Sequence, residues 1–296
     1  MNDPSLAPAI SQLIDLALAE DLGPHGDITA QCFVPDGHRS LGRIVARQPL
    51  LISGTAIATE VFSRIESALS VSIQKNDGDE ASAGETVLTV TGPTRGILTG
   101  ERTALNFLQR LCGVATQTRE FVRRAREANP EVRVLDTRKT TPGWRLLEKA
   151  AVKDGGGTNH RIGLFDASMV KDNHLVAEDN AKALEAGIRA VREQYPEAAF
   201  IELEADRLDQ VATFLELEGV DVILLDNMSN DQLREAVALR DERAPGVQLE
   251  ASGGVNLETI ANIAATGVDA ISVGALTHSA VAADLALDLE TLPDAE

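Results

Sequence analysis

The stretch from residue 200 to residue 274 decides the fold, because four short apolar segments recur in it: FIELE (200–204), VILLD (222–226), QLEAS (248–252) and AISVG (270–274). Their last residues are 22, 26 and 22 positions apart. Each interval accommodates one strand, one loop and one helix. The helices are predicted at 208–217, 230–240 and 257–266. Consecutive strand and helix units of this kind predict a parallel sheet.

Two further apolar segments, VRVLD (132–136) and ASMVK (167–171), extend the series toward the N-terminus and bring the predicted strands to six. Nearly every reactive residue follows the C-terminal end of a predicted strand, which is typical of the active site of a β/α barrel. An open, doubly wound sheet places its ligands at the same strand ends, so the spacing alone does not separate these two folds.

Residues 132–174 concentrate positive charge in an acidic chain. They contain eight Lys and Arg residues against five Asp and Glu residues, whereas the whole chain has a net charge of −19. The cations lie at strand ends and beside DGGGTN (154–159), whose backbone N–H groups can approach an anion closely. We interpret this stretch as an anion-binding site. The alternative is a solvated basic face with a glycine linker.

Three carboxylates are predicted to face the same site. Glu202 and Glu204 have the same strand parity and project to one face, and Asp226 ends the next strand. Such carboxylates can hold magnesium, directly or through water, or bind ribose hydroxyls. The alternative for one of the two glutamates is that it neutralises a buried Lys or Arg.

The last two predicted strands are each followed by a small-residue turn: Ser252, Gly253 and Gly254, and then Ser272, Val273, Gly274 and Ala275. In β/α barrels this is a common place for backbone N–H groups to bind phosphate. A single SGG is equally a tight turn. The repetition on adjacent strands favours phosphate binding.

Composition excludes several classes of protein. The charge of −19 and the aromatic content of 3% disfavour nucleic-acid binding. No apolar run reaches the roughly 18 residues of a membrane span, and the N-terminus lacks the pattern of a signal peptide. The two cysteines, Cys32 and Cys112, do not have the spacing of metal ligands, and they are typical of a protein from a reducing compartment. The alternative is a single disulfide between them. We expect a cytoplasmic protein.

The remaining elements are predicted from periodicity. Strands are expected at three places and helices at five; the strands are 41–47, 71–75 and 86–91, and the helices are 4–20, 55–69, 100–113, 114–129 and 280–289.

Long motifs resemble the quinolinate phosphoribosyltransferase family over nearly the whole chain. The central ones are DTRKTTPG (136–143), AVKDGGGTNHRIGLFD (151–166) and MVKDNH (169–174). The others occur in the family's order; they are EDLGPHGDIT (20–29), GERTALNFLQRLCGVAT (100–116), ILLDNM (223–228), EASGGVN (250–256) and GVDAISVGALTHS (267–279). Several long motifs in the right order are far more specific than one glycine pattern.

The resemblance implies an α/β fold in which an incomplete β/α barrel accompanies an N-terminal α/β sandwich domain. The sandwich would comprise residues 1–115 together with 279–296, and the barrel 116–278. The resemblance also implies transfer of phosphoribosyl from phosphoribosyl pyrophosphate to quinolinate, with loss of carbon dioxide. Nicotinate mononucleotide and pyrophosphate would be the other products.

The resemblance assigns roles to individual residues. Lys139, Glu204 and Asp226 are expected to be catalytic, the last two also holding Mg²⁺, and the small-residue turns are expected to bind the donor's 5′-phosphate. Residues from both predicted domains would bind quinolinate; they are Arg102, Arg138, His160, Arg161 and Lys171. Arg102 would enter the site of a partner subunit, so a homodimer or a higher homo-oligomer with shared active sites is expected. From the residues alone, His160 is equally a structural histidine.

Two alternative functions stay open at this point. One is a related enzyme of the same fold, a nicotinate phosphoribosyltransferase or a molybdenum-associated paralogue. The other is a phosphometabolite-binding barrel without catalysis.

Overall fold

The computed structural model describes residues 7–171 and 181–293. The chain divides into two compact units. The first comprises Met1–Arg119, Thr141–Gly156 and Ala280–Glu296, and the second Glu120–Thr140 and Gly157–Ser279. The first unit therefore takes in residues 141–156, which the predicted boundaries place in the barrel domain.

The strands of the described residues run in chain order as follows: β1 Arg39–Ala46, β2 Leu50–Leu51, β3 Ser70–Ile73, β4 Glu80–Ala81, β5 Thr86–Pro93, β6 Arg133–Leu135, β7 Ser168–Val170, β8 Ile201–Ala205, β9 Val222–Asp226, β10 Gln248–Ser252, β11 Ala270–Ser272 and β12 Leu285–Thr291.

The helices are α1 Ala7–Leu22, α2 Ile28–Phe33, α3 Thr55–Ile65, α4 Thr94–Ala128, α5 Arg145–Asp154, α6 Ala181–Gln194, α7 Leu208–Phe214, α8 Asn230–Arg243, α9 Ile260–Ala264 and α10 Ala275–His278. None of the helices in the described ranges is long and apolar enough to span a bilayer.

The second unit is built on a six-stranded parallel sheet in the order β6-β11-β10-β9-β8-β7. All six strands predicted from the sequence are present, and the predicted incomplete barrel is confirmed. Residues in the middle of β8, β9 and β10 are almost fully buried, among them Leu203, Ile223 and Leu249. This burial explains why the strands are apolar. Parallel strands buried in this way are typical of α/β proteins.

The first unit contains a four-stranded antiparallel sheet in the order β12-β1-β5-β3. β12 comes from the C-terminal end of the chain and pairs with β1 over seven residues. The prediction of a helix at 280–289 was therefore wrong. This segment pairs with the edge of β1, and its leucines at 285, 287 and 289 alternate with period two as in a strand.

The predicted break between helices 100–113 and 114–129 was also wrong, because α4 runs without interruption through Gly113. A Cβ atom on Gly113 would lie 2.1 Å from the carbonyl oxygen of Val281. Gly113 is thus required for a close approach between α4 and the chain that leads into β12, and it does not end the helix.

We predict that Gly113→Ala destabilises the protein, although alanine has the higher helix propensity. The clash with Val281 should cost about 1–3 kcal/mol, more than the ~1 kcal/mol gained in propensity. Gly187→Ala on α6 is the matched control, because nothing lies within 4 Å of its added Cβ; it should stabilise by about 0.5–1 kcal/mol. Urea unfolding of both variants measures the difference, and equal effects would contradict the prediction.

Candidate active site

A cavity of about 490 Å³ opens at the C-terminal ends of the parallel strands. Most of the residues predicted for the site line it; they come from the ends of the six strands, from the loops after them and, for His160 and Arg161, from the segment between α5 and β7. These residues are Arg138, Lys139, His160, Arg161, Lys171, Glu204, Asp226, Ser252, Gly253, Gly254 and Ser272. The sheet brings them together because parallel strands end at one edge.

Five predicted residues are not among those that line this cavity. Glu202 and Val273 are fully buried, Gly274 precedes α10 and Ala275 is its first residue. Arg102 is an exposed residue of α4 in the part of this helix that belongs to the first unit. The end of the MVKDNH motif, residues 172–174, lies outside the described ranges.

Arg161 is the most deeply placed cation of the cavity, with 9% of its surface exposed. Its guanidinium donates hydrogen bonds to the carbonyl oxygen of Ala167 at 3.3 Å and to the sulfur of Met169 at 3.4 Å. Burial, and then the charge of Arg138, lower its pKa from the ordinary value of 12.5. Because an arginine stays protonated even so, Arg161 is a fixed positive charge at the bottom of the cavity.

Lys171 and Glu204 form an ion pair across the cavity wall. Their side chains are 42% and 16% exposed, so the pair faces the cavity and is accessible to solvent. The sequence assigned these residues to different ligands, Lys171 to a carboxylate and Glu204 to a metal or ribose. In this structure each is the other's counter-ion, and a bound ligand would have to separate them.

Lys139 lies against the turn at 272–275. A Cβ atom on Gly274 would come within 3.1 Å of the Lys139 side chain, so glycine leaves the room that the lysine occupies. The carbonyl oxygen of Lys139 also accepts a hydrogen bond from Thr277 Oγ1 at 2.8 Å. The backbone and the aliphatic part of Lys139 thus lie beside the turn that follows β11.

The turn at 252–254 packs directly on the end of β9. Gly253 and Gly254 have φ values of +102° and +60°, and a Cβ on Gly253 would lie 2.1 Å from Asn227 Oδ1. Asn227 itself has φ +55°, donates from its backbone to Ser252 at 2.9 Å and donates from its side chain to Asp226 at 2.7 Å. The contact with Asn227 and the positive φ values thus explain why glycine is present in this turn, and residues of the turn also line the cavity.

His160 is held from several sides and is buried. Its backbone N–H donates to Asp136 at 2.9 Å, and its Nδ1 accepts the backbone N–H of Arg161 at 2.8 Å. Its Nε2 lies 3.2 Å from a carboxylate oxygen of Glu202 and 3.4 Å from one of Glu250. Both ring nitrogens are therefore directed at groups of the protein.

The two carboxylates dominate the electrostatics of this cluster. Burial lowers the pKa of His160, but Glu202 and Glu250 outweigh it and raise that pKa from 6.5 to about 9. Burial, opposed by His160, raises the pKa of Glu202 above its ordinary value. Because Nδ1 accepts the Arg161 N–H, the ring proton lies on Nε2, on the side of the two carboxylates.

Three residues of the site were missed by the sequence reasoning. Glu250 has the same strand parity as Ser252, which places it on the inner face of β10, and its side chain is almost fully buried. Asp136 ends its predicted strand as Asp226 does, and Asn227 follows Asp226 directly. Position at a strand end was thus the available signal for Asp136 and Asn227.

Comparisons with known proteins give the same family for both parts of the chain. The model of the N-terminal domain of quinolinate phosphoribosyl transferase matches residues 27–112, and that of the C-terminal domain matches residues 114–288. The nicotinate-nucleotide pyrophosphorylase [carboxylating] of Mycobacterium leprae is 43% identical over 95% of this chain and 97% of its own length.

A plant protein and a solved structure agree with this. Quinolinate phosphoribosyltransferase [decarboxylating] 2 of Nicotiana glauca is 38% identical, over 95% of this chain and 82% of its own length. The solved structure of the nicotinate-nucleotide pyrophosphorylase of Francisella tularensis has a TM-score of 0.87 and 34% identity, and the match covers 96% of each chain.

Proposed function

Because this chain belongs to the quinolinate phosphoribosyltransferase family, we infer that it makes nicotinate mononucleotide for NAD biosynthesis. It transfers phosphoribosyl from phosphoribosyl pyrophosphate to quinolinate and releases pyrophosphate and carbon dioxide. One observation supports this best. A chain of net charge −19 gathers Arg138, Lys139, Arg161 and Lys171 around a single cavity, which fits two polyanionic substrates.

We assign quinolinate to the part of the cavity near β7. Arg161 and Arg138 can each grip a carboxylate through two N–H groups, whereas Lys171 offers one compact charge. Lys171 would exchange Glu204 for a substrate carboxylate. Two planar carboxylates held by several donors fix the ring and direct its nitrogen toward the ribose.

We assign the donor to the opposite side, where Lys139 lies beside the turn at 272–275 and Ser252, Gly253 and Gly254 line the cavity. Backbone N–H groups of these turns can bind the 5′-phosphate. Lys139 stabilises negative charge on the departing pyrophosphate, and no nucleophilic side chain is needed for this.

Glu204 and Asp226 are a suitable donor set for Mg²⁺, because this ion is often bound by one or two carboxylates together with substrate phosphates. Both side chains line the cavity. When bound, magnesium supplies positive charge to the pyrophosphate group of the donor.

The cationic side chains then contribute to two steps, the transfer of the ribosyl group and the loss of carbon dioxide. Cleavage of the C1′–O bond leaves an oxocarbenium-like ribosyl centre, which the ring nitrogen attacks. The resulting pyridinium cation can accept the electron pair that remains at C2 when the adjacent carboxylate leaves as carbon dioxide. The arginines hold the remaining carboxylate and so keep the ring in place during this second step.

An assay of pyrophosphate and carbon dioxide tests this function. With quinolinate, donor and Mg²⁺, both products should form in equal amounts, and neither should form without the donor. Preference for nicotinate, which lacks the second carboxylate, would favour a nicotinate phosphoribosyltransferase. Donor binding by calorimetry without turnover would point to a non-catalytic barrel.

Arg161→Ala should raise the KM for quinolinate by about tenfold to 150-fold, because a lost charge-assisted hydrogen bond costs about 1.5–3 kcal/mol. The KM for the ribosyl donor should change much less. Arg234→Ala is the control, since Arg234 is an exposed arginine of α8 paired only locally with Asp231 among the interactions that the structure displays. An unchanged KM for quinolinate in Arg161→Ala would remove Arg161 from the substrate site.

Asp226→Ala and Glu204→Ala should shift the magnesium dependence of the rate to higher concentrations, by about tenfold or more per lost carboxylate ligand. The measurement is a magnesium titration at saturating quinolinate. Glu216→Ala serves as a control, because Glu216 is an exposed carboxylate outside the cavity. Wild-type magnesium curves in both site variants would mean that these carboxylates serve the scaffold.

We also propose a homodimer, or a higher homo-oligomer, in which Arg102 enters the quinolinate site of a neighbouring subunit. This rests on the family resemblance of GERTALN and on the exposure of Arg102. The free Cys32 and Cys112 are consistent with the cytoplasmic location that we propose.

Mixing two inactive variants tests the shared site. Arg102→Ala and Lys139→Ala subunits should form mixed dimers in which one site carries both changes and the other carries none. Random pairing then restores at most about one quarter of the wild-type activity, because half of the dimers are mixed. If Arg102 acts within its own chain, every site keeps one change and mixing restores nothing.

A further inference from the structure

A second cavity of about 380 Å³ lies at the opposite ends of the same strands. The first residues of four strands line it: Arg133, Val222, Gln248 and Ala270. The active-site cavity and this lower cavity have two lining residues in common, His160 and Glu250. This pair therefore separates the active-site cavity from the lower cavity.

The partition is a chain of hydrogen-bonding groups. Glu250 accepts a hydrogen bond from Ser272 Oγ through one oxygen, and its other oxygen lies 3.4 Å from His160 Nε2. The side chains of His160 and Glu250 are 6% and 3% exposed. Such groups exchange protons with bulk water only through the spaces that they line.

The hydrogen bond at Nδ1 determines which ring nitrogen of His160 carries the proton. Nδ1 accepts the backbone N–H of Arg161, so the proton of the neutral ring must be on Nε2, which faces the carboxylates. A metal ligated by Nε2 would require a proton on Nδ1, where the Arg161 N–H already points. Although His160, Glu202 and Glu250 have the composition of a metal site, this orientation of the ring leaves a proton, and no free lone pair, on Nε2.

The charges that surround the pair keep this proton in place. Glu202 lies 3.2 Å from Nε2, and Asp136 accepts the backbone N–H of His160. Arg161 is the neighbouring cation, and its charge lowers the pKa of Glu202. Burial lowers the pKa of His160, but the two carboxylates outweigh burial and raise it to about 9.

The proposed reaction consumes a proton at this place. When the bond between C2 and its carboxylate breaks, both electrons stay on C2 and carbon dioxide leaves. The product carries hydrogen at C2, so one proton must be delivered to that carbon for each turnover. The two substrates would occupy the active-site cavity, and the lower cavity, of about 380 Å³, is a separate space from which water could reach the pair.

We propose that the His160–Glu250 pair donates the proton that replaces carbon dioxide at C2, and that water in the lower cavity returns it. This inference rests on the proposed function. The electron pair on C2 takes the proton from the pair, and solvent restores it, so protons and charge balance over one turnover.

Single-turnover experiments with Glu250→Gln test the donor. Carbon dioxide release should slow by about 100-fold and far more than pyrophosphate formation, so that the undecarboxylated mononucleotide accumulates. Glu250→Asp keeps a carboxylate and should recover part of the release rate. Glu148→Gln, a fully buried carboxylate of the first unit, should leave the two products equal.

Two outcomes separate the hypotheses. If the wild type forms neither product, the proposed function fails. If the wild type forms both, and Glu250→Gln also forms them in equal amounts at every pH, the proton-donor role is wrong.

Discussion

The site depends on one geometric constraint, the parallel direction of all six strands of the second unit. Since every strand ends at the same edge, residues separated by more than a hundred positions, such as Arg138 and Ser272, reach one cavity. The apolar strands form the support, and the polar residues come at or just after their last positions. The same constraint leaves a second cavity at the other edge, lined in part by the first residues of four strands.

Cationic side chains that are concentrated in one cavity need carboxylates nearby to neutralise their charge. Lys171 is neutralised by Glu204, and the imidazole of His160 lies between two buried glutamates. Arg161, in contrast, has neutral acceptors at hydrogen-bond distance. The site therefore combines a few fixed positive charges with carboxylates that can change partner or hold a proton when anionic substrates arrive.

The sequence errors have physical causes that lie in tertiary contacts. A break between two helices was expected after Gly113, but α4 continues through this glycine, which permits contact with Val281. A helix was expected at 280–289, yet this segment is a strand because β1 offers it an open edge to pair with. Neither the backbone approach nor the free edge is visible in the local pattern.

The sequence by itself determined the parallel strands, the positions of the reactive residues at their ends and the family, because these follow from local periodicity and from contiguous motifs. Only the tertiary structure decided which of these residues touch. The pairing of Lys171 with Glu204 and the meeting of His160, Glu202 and Glu250 depend on strand order and register. Strand order is set by packing between distant segments, so the spacing of residues along the chain does not specify it.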